Sequence, residues 1–151
     1  MIFAHNIDTP IGEMLLRGSG EAVTELRFGH AECEVPSQLL SEAEKQLREY
    51  FDGERREFDL PLEPEGTEFQ KKVWDALRGI AYSEAKSYGE VAADIGNPKA
   101  ARAVGMACNR NPIAIIIPCH RVVGADGRLT GYAGGLDKKE FLLEHERRMC
   151  L

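Results

Sequence analysis

The chain has 151 residues, 43% of them hydrophobic, and a formal net charge of −6 at pH 7. That length supports a real core as one domain or two small ones, and no run approaches the ~20 apolar residues of a membrane span. An acidic total argues against nucleic acid, but the charge is unevenly placed: residues 1–64 hold 6 Lys/Arg and 14 Asp/Glu, and residues 65–151 hold 13 and 11. Between Ile95 and Ala125 stand Lys99, Arg102, Arg110 and Arg121 and no carboxylate, and phosphate binding follows local charge, so a nucleic-acid partner stays open. The N-terminus lacks a basic n-region and a cleavage site, and the four cysteines (33, 108, 119, 150) form no CxxC pair. A reducing compartment is therefore expected, cytoplasmic or, in a eukaryote, nuclear.

In chain order, Ile2–Ile7 and Met14–Arg17 flank the turn signal Asp8-Thr9-Pro10-Ile11-Gly12, and Val23–Phe28 alternates as a third strand, which predicts a small β-meander. Ser37 caps a helix over 38–51 with Leu40, Ala43, Leu47 and Phe51 on one face and Gly53 behind it. Nothing in this first part carries chemistry. Pro61-Leu62-Glu63-Pro64-Glu65-Gly66 reads as a linker. The expected division is an N-terminal domain at 1–60, the linker at 61–66 and a second domain at 67–151.

Thr67 with Gln70 is a capping box ahead of a helix carrying Phe69, Val73 and Leu77, and Trp74 packs in the core. Ser87 with Glu90 is a second box, opening a short helix that ends near Gly96. Asn97 as N-cap and Pro98 as first residue would open the next helix, making a helix-turn-helix. Ala100, Val104 and Ala107 then face inward, and Ala101, Arg102, Gly105 and Asn109 outward. Small residues with one long arginine suit close approach to a shallow surface. An Ala/Gly helix packed inside the protein accounts for the pattern equally well.

Five apolar residues, Ile113–Ile117, read as a buried strand between Pro112 and Pro118, with Cys119 presented at its end beside His120. An arbitrary intracellular cysteine is more often a small buried hydrophobe. A thiol next to an imidazole is, however, the arrangement that yields a thiolate nucleophile, and a carboxylate on the far ring nitrogen strengthens it. Asp126-Gly127 marks a tight turn, Gly131-Tyr132-Ala133-Gly134-Gly135 a glycine-rich loop, and Leu136–Arg148 a last helix with Phe141 and Leu142 inward and His145 and Glu146 near its end.

Pro118-Cys119-His120-Arg121-Val122 resembles the active-site signature of the O6-alkylguanine-DNA alkyltransferases. The resemblance extends through Ser87-Tyr88 and Asn97–Arg102 upstream and through Gly131–Leu136 to His145-Glu146 downstream, covering about residues 66–148. It implies an α+β fold: a ribonuclease H-like N-terminal domain of β-meander plus helix, then a winged-helix-like domain. It implies direct-reversal DNA repair, in which Cys119 takes the alkyl group from O6-alkylguanine, and from O4-alkylthymine, once and irreversibly, without cofactor or metal. By the same resemblance, His120 activates the thiol, Glu146 orients His120, and Tyr88 bonds guanine N3. The carbonyls of Cys119 and Val122 and the amide of Ala133 face the base, and Asn111 braces the cysteine turn. Arg102 fills the gap left by a flipped nucleotide, with Ala101, Gly105 and Lys99 along the DNA minor groove. Ala133 stands where many members have serine, so a hydroxyl contact is lost there and an amide contact is not. The expected partner is double-stranded DNA carrying alkylated guanine, met by a monomer, with no membrane. Two other classes fit the residues alone: a cysteine hydrolase or acyltransferase, which would turn over, and a non-catalytic binder of alkylation damage, against which Cys119 itself argues.

Overall fold

The computed structural model describes residues 1–150 and has the expected α+β character, a small antiparallel sheet followed by a helical part. By its internal contacts the chain divides into two units. One is residues 1–65 with 112–114; the other is 66–111 with 115–151. The expected single cut near 61–66 therefore misses Pro112–Ala114, which belong with the first unit.

In the first unit, β1 (Phe3–Thr9), β2 (Gly12–Gly18) and β3 (Val23–Phe28) form an antiparallel meander. Gly12, at φ +119°, closes the first hairpin in a conformation that disfavours other residues. Helix α1 (Gln38–Phe51) starts where the Ser37 side chain accepts the Leu40 amide, and it buries Leu40, Ala43, Leu47 and Tyr50. Tyr50, not Phe51, takes the last inward position, because 3.6-residue periodicity brings either within reach and Phe51 stays half-buried against the Tyr50 ring. The outer edge of β3 is not left open. Val23 donates to Pro61 and accepts from Glu63, and Leu26 donates to Pro112 and accepts from Ala114. Residues 61–63, expected as linker, thus pair with a strand edge that would otherwise invite another chain.

The run Ile113–Ile117 is buried as expected but is not a strand. Only Ile113 makes a ladder contact; residues 114–116 form a turn in which Ile115 lies at φ +69°. That value is rare for a β-branched residue and costs of order 1–3 kcal/mol. Apolarity reported burial correctly but carried no information on strand pairing.

In the second unit, α2 (Glu68–Leu77) and α3 (Tyr88–Asp94) each begin with the complete capping box that the sequence predicts. Helix α4 (Ala101–Asn109) begins later than expected. Gly96 at φ +80° ends α3, and the Ala100 amide bonds the Asn97 carbonyl, so Asn97 and Pro98 form a turn ahead of the helix and Asn97 is not its N-cap. A short parallel pair, β4 (Lys86–Ser87) with β5 (Val122–Val123), and α5 (Leu136–Met149) complete the unit. Trp74 on α2 donates its indole N–H to the Ala107 carbonyl near the end of α4 at 2.9 Å, fully inside the unit. Among the described residues no helix is long and apolar enough to cross a membrane. Replacing Trp74 by Phe keeps most of the packing and removes the bond; it should lower the unfolding free energy by about 1 kcal/mol in urea titration with an unchanged slope. An unmoved midpoint would show that the bond adds nothing.

Candidate active site

The cysteine turn is built by proline. Pro118 (φ −81°, ψ +64°) makes an inverse γ-turn in which the Cys119 amide bonds the Ile117 carbonyl at 2.8 Å. A 3₁₀ turn over Cys119–Arg121 follows, with Arg121 N–H on the Pro118 carbonyl and Val122 N–H on the Cys119 carbonyl. Cys119 therefore opens a turn, not the end of a strand. Asn111 Nδ2 donates to the Ile117 carbonyl at 2.8 Å, one residue before Pro118. Burial pushes the Cys119 thiol up; the Asn111 side chain and the positive charge of Lys139 pull it back.

His120 and Glu146, 26 positions apart, meet with Nε2 and Oε2 at 2.7 Å, both side chains fully buried. Arg121 grips the same carboxylate with Nε to Oε1 at 2.9 Å and Nη2 to Oε2 at 3.0 Å, and Ser83, at φ +66°, aims its amide at Oε1 from 3.1 Å. Burial alone would raise the Glu146 carboxyl. The His120 and Arg121 bonds outweigh it and hold the group ionised, well below the usual carboxylate range. Burial lowers the His120 imidazole against the pull of Glu146, which favours the neutral ring. With Nε2–H committed to Glu146, Nδ1 is the basic nitrogen, and it has no hydrogen-bond partner in the protein. A neutral imidazole oriented by a carboxylate, next in sequence to a thiol, is equipped to take the thiol proton.

Lys139, absent from the sequence expectations, is 0% exposed. Its Nζ donates to the Thr130 carbonyl at 2.7 Å and the Gly131 carbonyl at 3.3 Å, and lies 5.8 Å from the centre of the Tyr88 ring. Burial lowers its ammonium, while Cys119 and Cys108 act to raise it. The signal was in the helix period: Lys139, Leu142 and Glu146 share the inward stripe of α5, at spacings of three and four. Phe141, expected inward, is 39% exposed and stacks on His145 instead. Cys108 was also passed over. Burial and the neighbouring Cys119 push its thiol up to about 12, so it stays protonated where Cys119 has the Asn111 bond as well.

Tyr88, at the start of α3, is half-buried, and its hydroxyl bonds Thr130. Gly105 of α4 sits over that ring, where an added Cβ would lie 3.6 Å from Cε1, so it faces Tyr88 more than solvent. Arg102, Lys99 and Asn109 are exposed, Ala101 is partly so, and Met106 is 64% exposed between Arg102 and Arg110 on the i, i+4, i+8 line. Val122 is fully buried in β5 and Ala133 lies exposed in the glycine-rich loop. The structure thus brings Cys119, His120, Glu146 and Asn111 together, joins Tyr88 to Lys139 through Thr130, and leaves the α4 cations at the surface. Among the described residues no three His, Cys, Asp or Glu groups are placed to hold a metal ion.

Residues 68–148 match the model of the 6-O-methylguanine DNA methyltransferase DNA-binding domain, and residues 2–64 that of the same family's ribonuclease-like domain. The methylated-DNA--protein-cysteine methyltransferase of Methanosarcina acetivorans is 56% identical over 147 residues, spanning 92% of this chain and 94% of that protein. A crystal structure of Mycobacterium tuberculosis OGT in complex with DNA superposes with a TM-score of 0.90 at 49% identity, covering 97% of this chain and 93% of the other. The Methanococcus jannaschii O6-methylguanine DNA methyltransferase does so at 0.70 and 33%, covering 95% and 93%. With both family models covering nearly the whole chain in order, it belongs to the 6-O-methylguanine DNA methyltransferase family.

Proposed function

We propose that this protein repairs alkylated DNA by moving the alkyl group of O6-alkylguanine onto Cys119. The observation that carries the reading is the buried His120–Glu146 contact, which leaves the imidazole Nδ1 uncommitted on the residue next in sequence to Cys119. His120 Nδ1 takes the Cys119 proton, directly or across one water. The sulfur attacks the alkyl carbon, the S–C bond forms as the C–O6 bond breaks, and the electron pair leaves with the base. Tyr88 donates a hydrogen bond to N3 as charge develops there, and the carbonyls of Cys119 and Val122 and the amide of Ala133 hold the base edge. Glu146 keeps the imidazole oriented; with Arg121 on both its oxygens it is too acidic to take the proton itself. The product is a thioether, which has no ready hydrolytic exit, so each molecule acts once and needs no cofactor. O4-alkylthymine presents the same alkyl–oxygen bond and is a second substrate.

DNA approaches along α4. Arg102 projects into the duplex where the nucleotide has swung out, and Lys99 and the backbone at Ala101 and Gly105 meet the groove. A DNA partner is supported by the Mycobacterium relative, whose structure is a complex with DNA. Every group in the site comes from residues 66–111 and 115–151, so one copy of the chain supplies it.

Intact mass after incubation with duplex containing O6-methylguanine should rise by one methylene per molecule, and Cys119→Ser should bind the duplex and gain nothing. Repeated turnover, or transfer by the serine variant, would point to a hydrolase-like or other chemistry. Arg102→Ala should slow repair in duplex DNA by on the order of tenfold or more, about 1.4 kcal/mol of barrier, and leave reaction with free O6-methylguanine base nearly unchanged. Equal losses on both substrates would place Arg102 in the chemistry or the fold. Lys139→Met removes a positive charge that favours the thiolate, so the Cys119 pKa rises. The pH–rate profile should shift to higher pH, with a severalfold loss near pH 7 that recovers in alkali. A uniform loss with an unshifted profile would limit Lys139 to holding the loop.

A further inference from the structure

The Tyr88 hydroxyl is engaged twice by one residue. It donates to the Thr130 carbonyl at 3.2 Å and accepts from Thr130 Oγ1 at 3.0 Å. The same carbonyl already takes the Lys139 ammonium at the shorter distance of 2.7 Å. A phenol has one proton to give. If an acceptor arrives on the open side of Tyr88, that proton can swing from the Thr130 carbonyl to the newcomer, and the carbonyl is not orphaned because Lys139 remains on it. The Thr130 hydroxyl meanwhile stays bonded to the phenol oxygen. A donor on that oxygen polarises the O–H and strengthens it towards the incoming acceptor, as hydrogen bonds in chains reinforce one another.

We propose that Thr130 is a positioning residue that presets Tyr88 as a hydrogen-bond donor to the leaving base, with Lys139 holding the Thr130 carbonyl so that the exchange leaves no buried acceptor unpaired. The inference rests on the alkyl-transfer reading above, in which the acceptor is guanine N3. The rest of the surroundings fit. Gly131, next to Thr130, lies at φ +38°, and a Cβ added there would come 3.1 Å from the Asn109 side-chain oxygen, so a larger residue would crowd α4. The charged and titratable groups around the phenol are Lys139, Cys108 and Cys119; burial raises its pKa and the Thr130 hydroxyl lowers it.

The test compares Thr130→Val, which keeps the shape and removes the hydroxyl, with Thr130→Ser, which keeps the hydroxyl. Single-turnover transfer at saturating substrate should fall roughly three- to tenfold in the valine protein, the worth of about one neutral hydrogen bond. The fall should be alike on duplex and on free O6-methylguanine, without weaker duplex binding, and the serine protein should stay near wild type. Thr130→Val added to Tyr88→Phe should cost nothing further, since both remove one interaction. A wild-type rate in the valine protein, a serine protein as slow as the valine one, or additive losses would overturn the proposal. A further readout does not need alkyl transfer: Tyr88 ionisation, followed by ultraviolet difference against Tyr88→Phe, should move to higher pH in Thr130→Val and not in Thr130→Ser. An unmoved titration would overturn the preset hydroxyl even if no alkyl group were ever transferred. A wild type that gains no mass, with that titration shifted as expected, would instead reject only the alkyl-transfer reading.

Discussion

A carboxylate without exposed surface persists only where positive charge and donors surround it, and Glu146 has both. The fork of Arg121, the imidazole N–H of His120 and the amide of Ser83 converge on its two oxygens. Removing one partner of such a cluster leaves an uncompensated buried charge, commonly 3–5 kcal/mol. The cluster therefore does more than tune a histidine. It ties the 3₁₀ turn that carries Cys119 to α5 and to the segment 80–83, because Arg121 also donates Nη1 to the Ile80 carbonyl at 2.7 Å and stacks over Tyr82. The position of the thiol and the ionisation of its helper are set by the same bonds.

Division of labour among the charges follows from this. Arg121 forks onto Glu146 and, with the His120 bond, holds the carboxylate ionised against its burial. Lys139 supplies the other buried positive charge, from about two turns earlier on α5, and acts on the sulfurs and on the loop carbonyls. Two buried cations thus stand around one thiol at different removes: Arg121 on the carboxylate that bonds His120, Lys139 by its direct field on the sulfur. The large acidic excess of residues 1–64 lies in the other unit, in which no comparable buried ionic cluster forms among the described residues.

Strain is placed in the same part of the chain. Among the described residues, Ile115 and Ser83 are the non-glycine residues at positive φ. Ile115 turns the backbone four residues before the nucleophile, and Ser83 points its amide at Glu146. Both conformations cost energy; Ile115 is held by the packing around its buried side chain, and the exposed Ser83 by its amide bond to Glu146.

How much of this was legible beforehand depends on range. Ser37, Thr67-Gln70 and Ser87-Glu90 announced their helices because a cap is a bond across three residues, and the hairpin at Thr9–Gly12 and the turn at Asp126-Gly127 are equally local. The family was readable from Pro118–Val122 and four companion motifs, since those residue types at those spacings are hard to meet otherwise. What local pattern could not supply was partnership. Five consecutive apolar residues from Ile113 gave burial but not strand pairing, because a strand exists only where another strand offers its edge. The helix period puts Lys139 on the inward stripe of α5, but only the fold sets it against Thr130 and Tyr88. The meeting of His120 with Glu146 needs α5 to fold back over 26 residues, and only tertiary packing decides where two such distant side chains end.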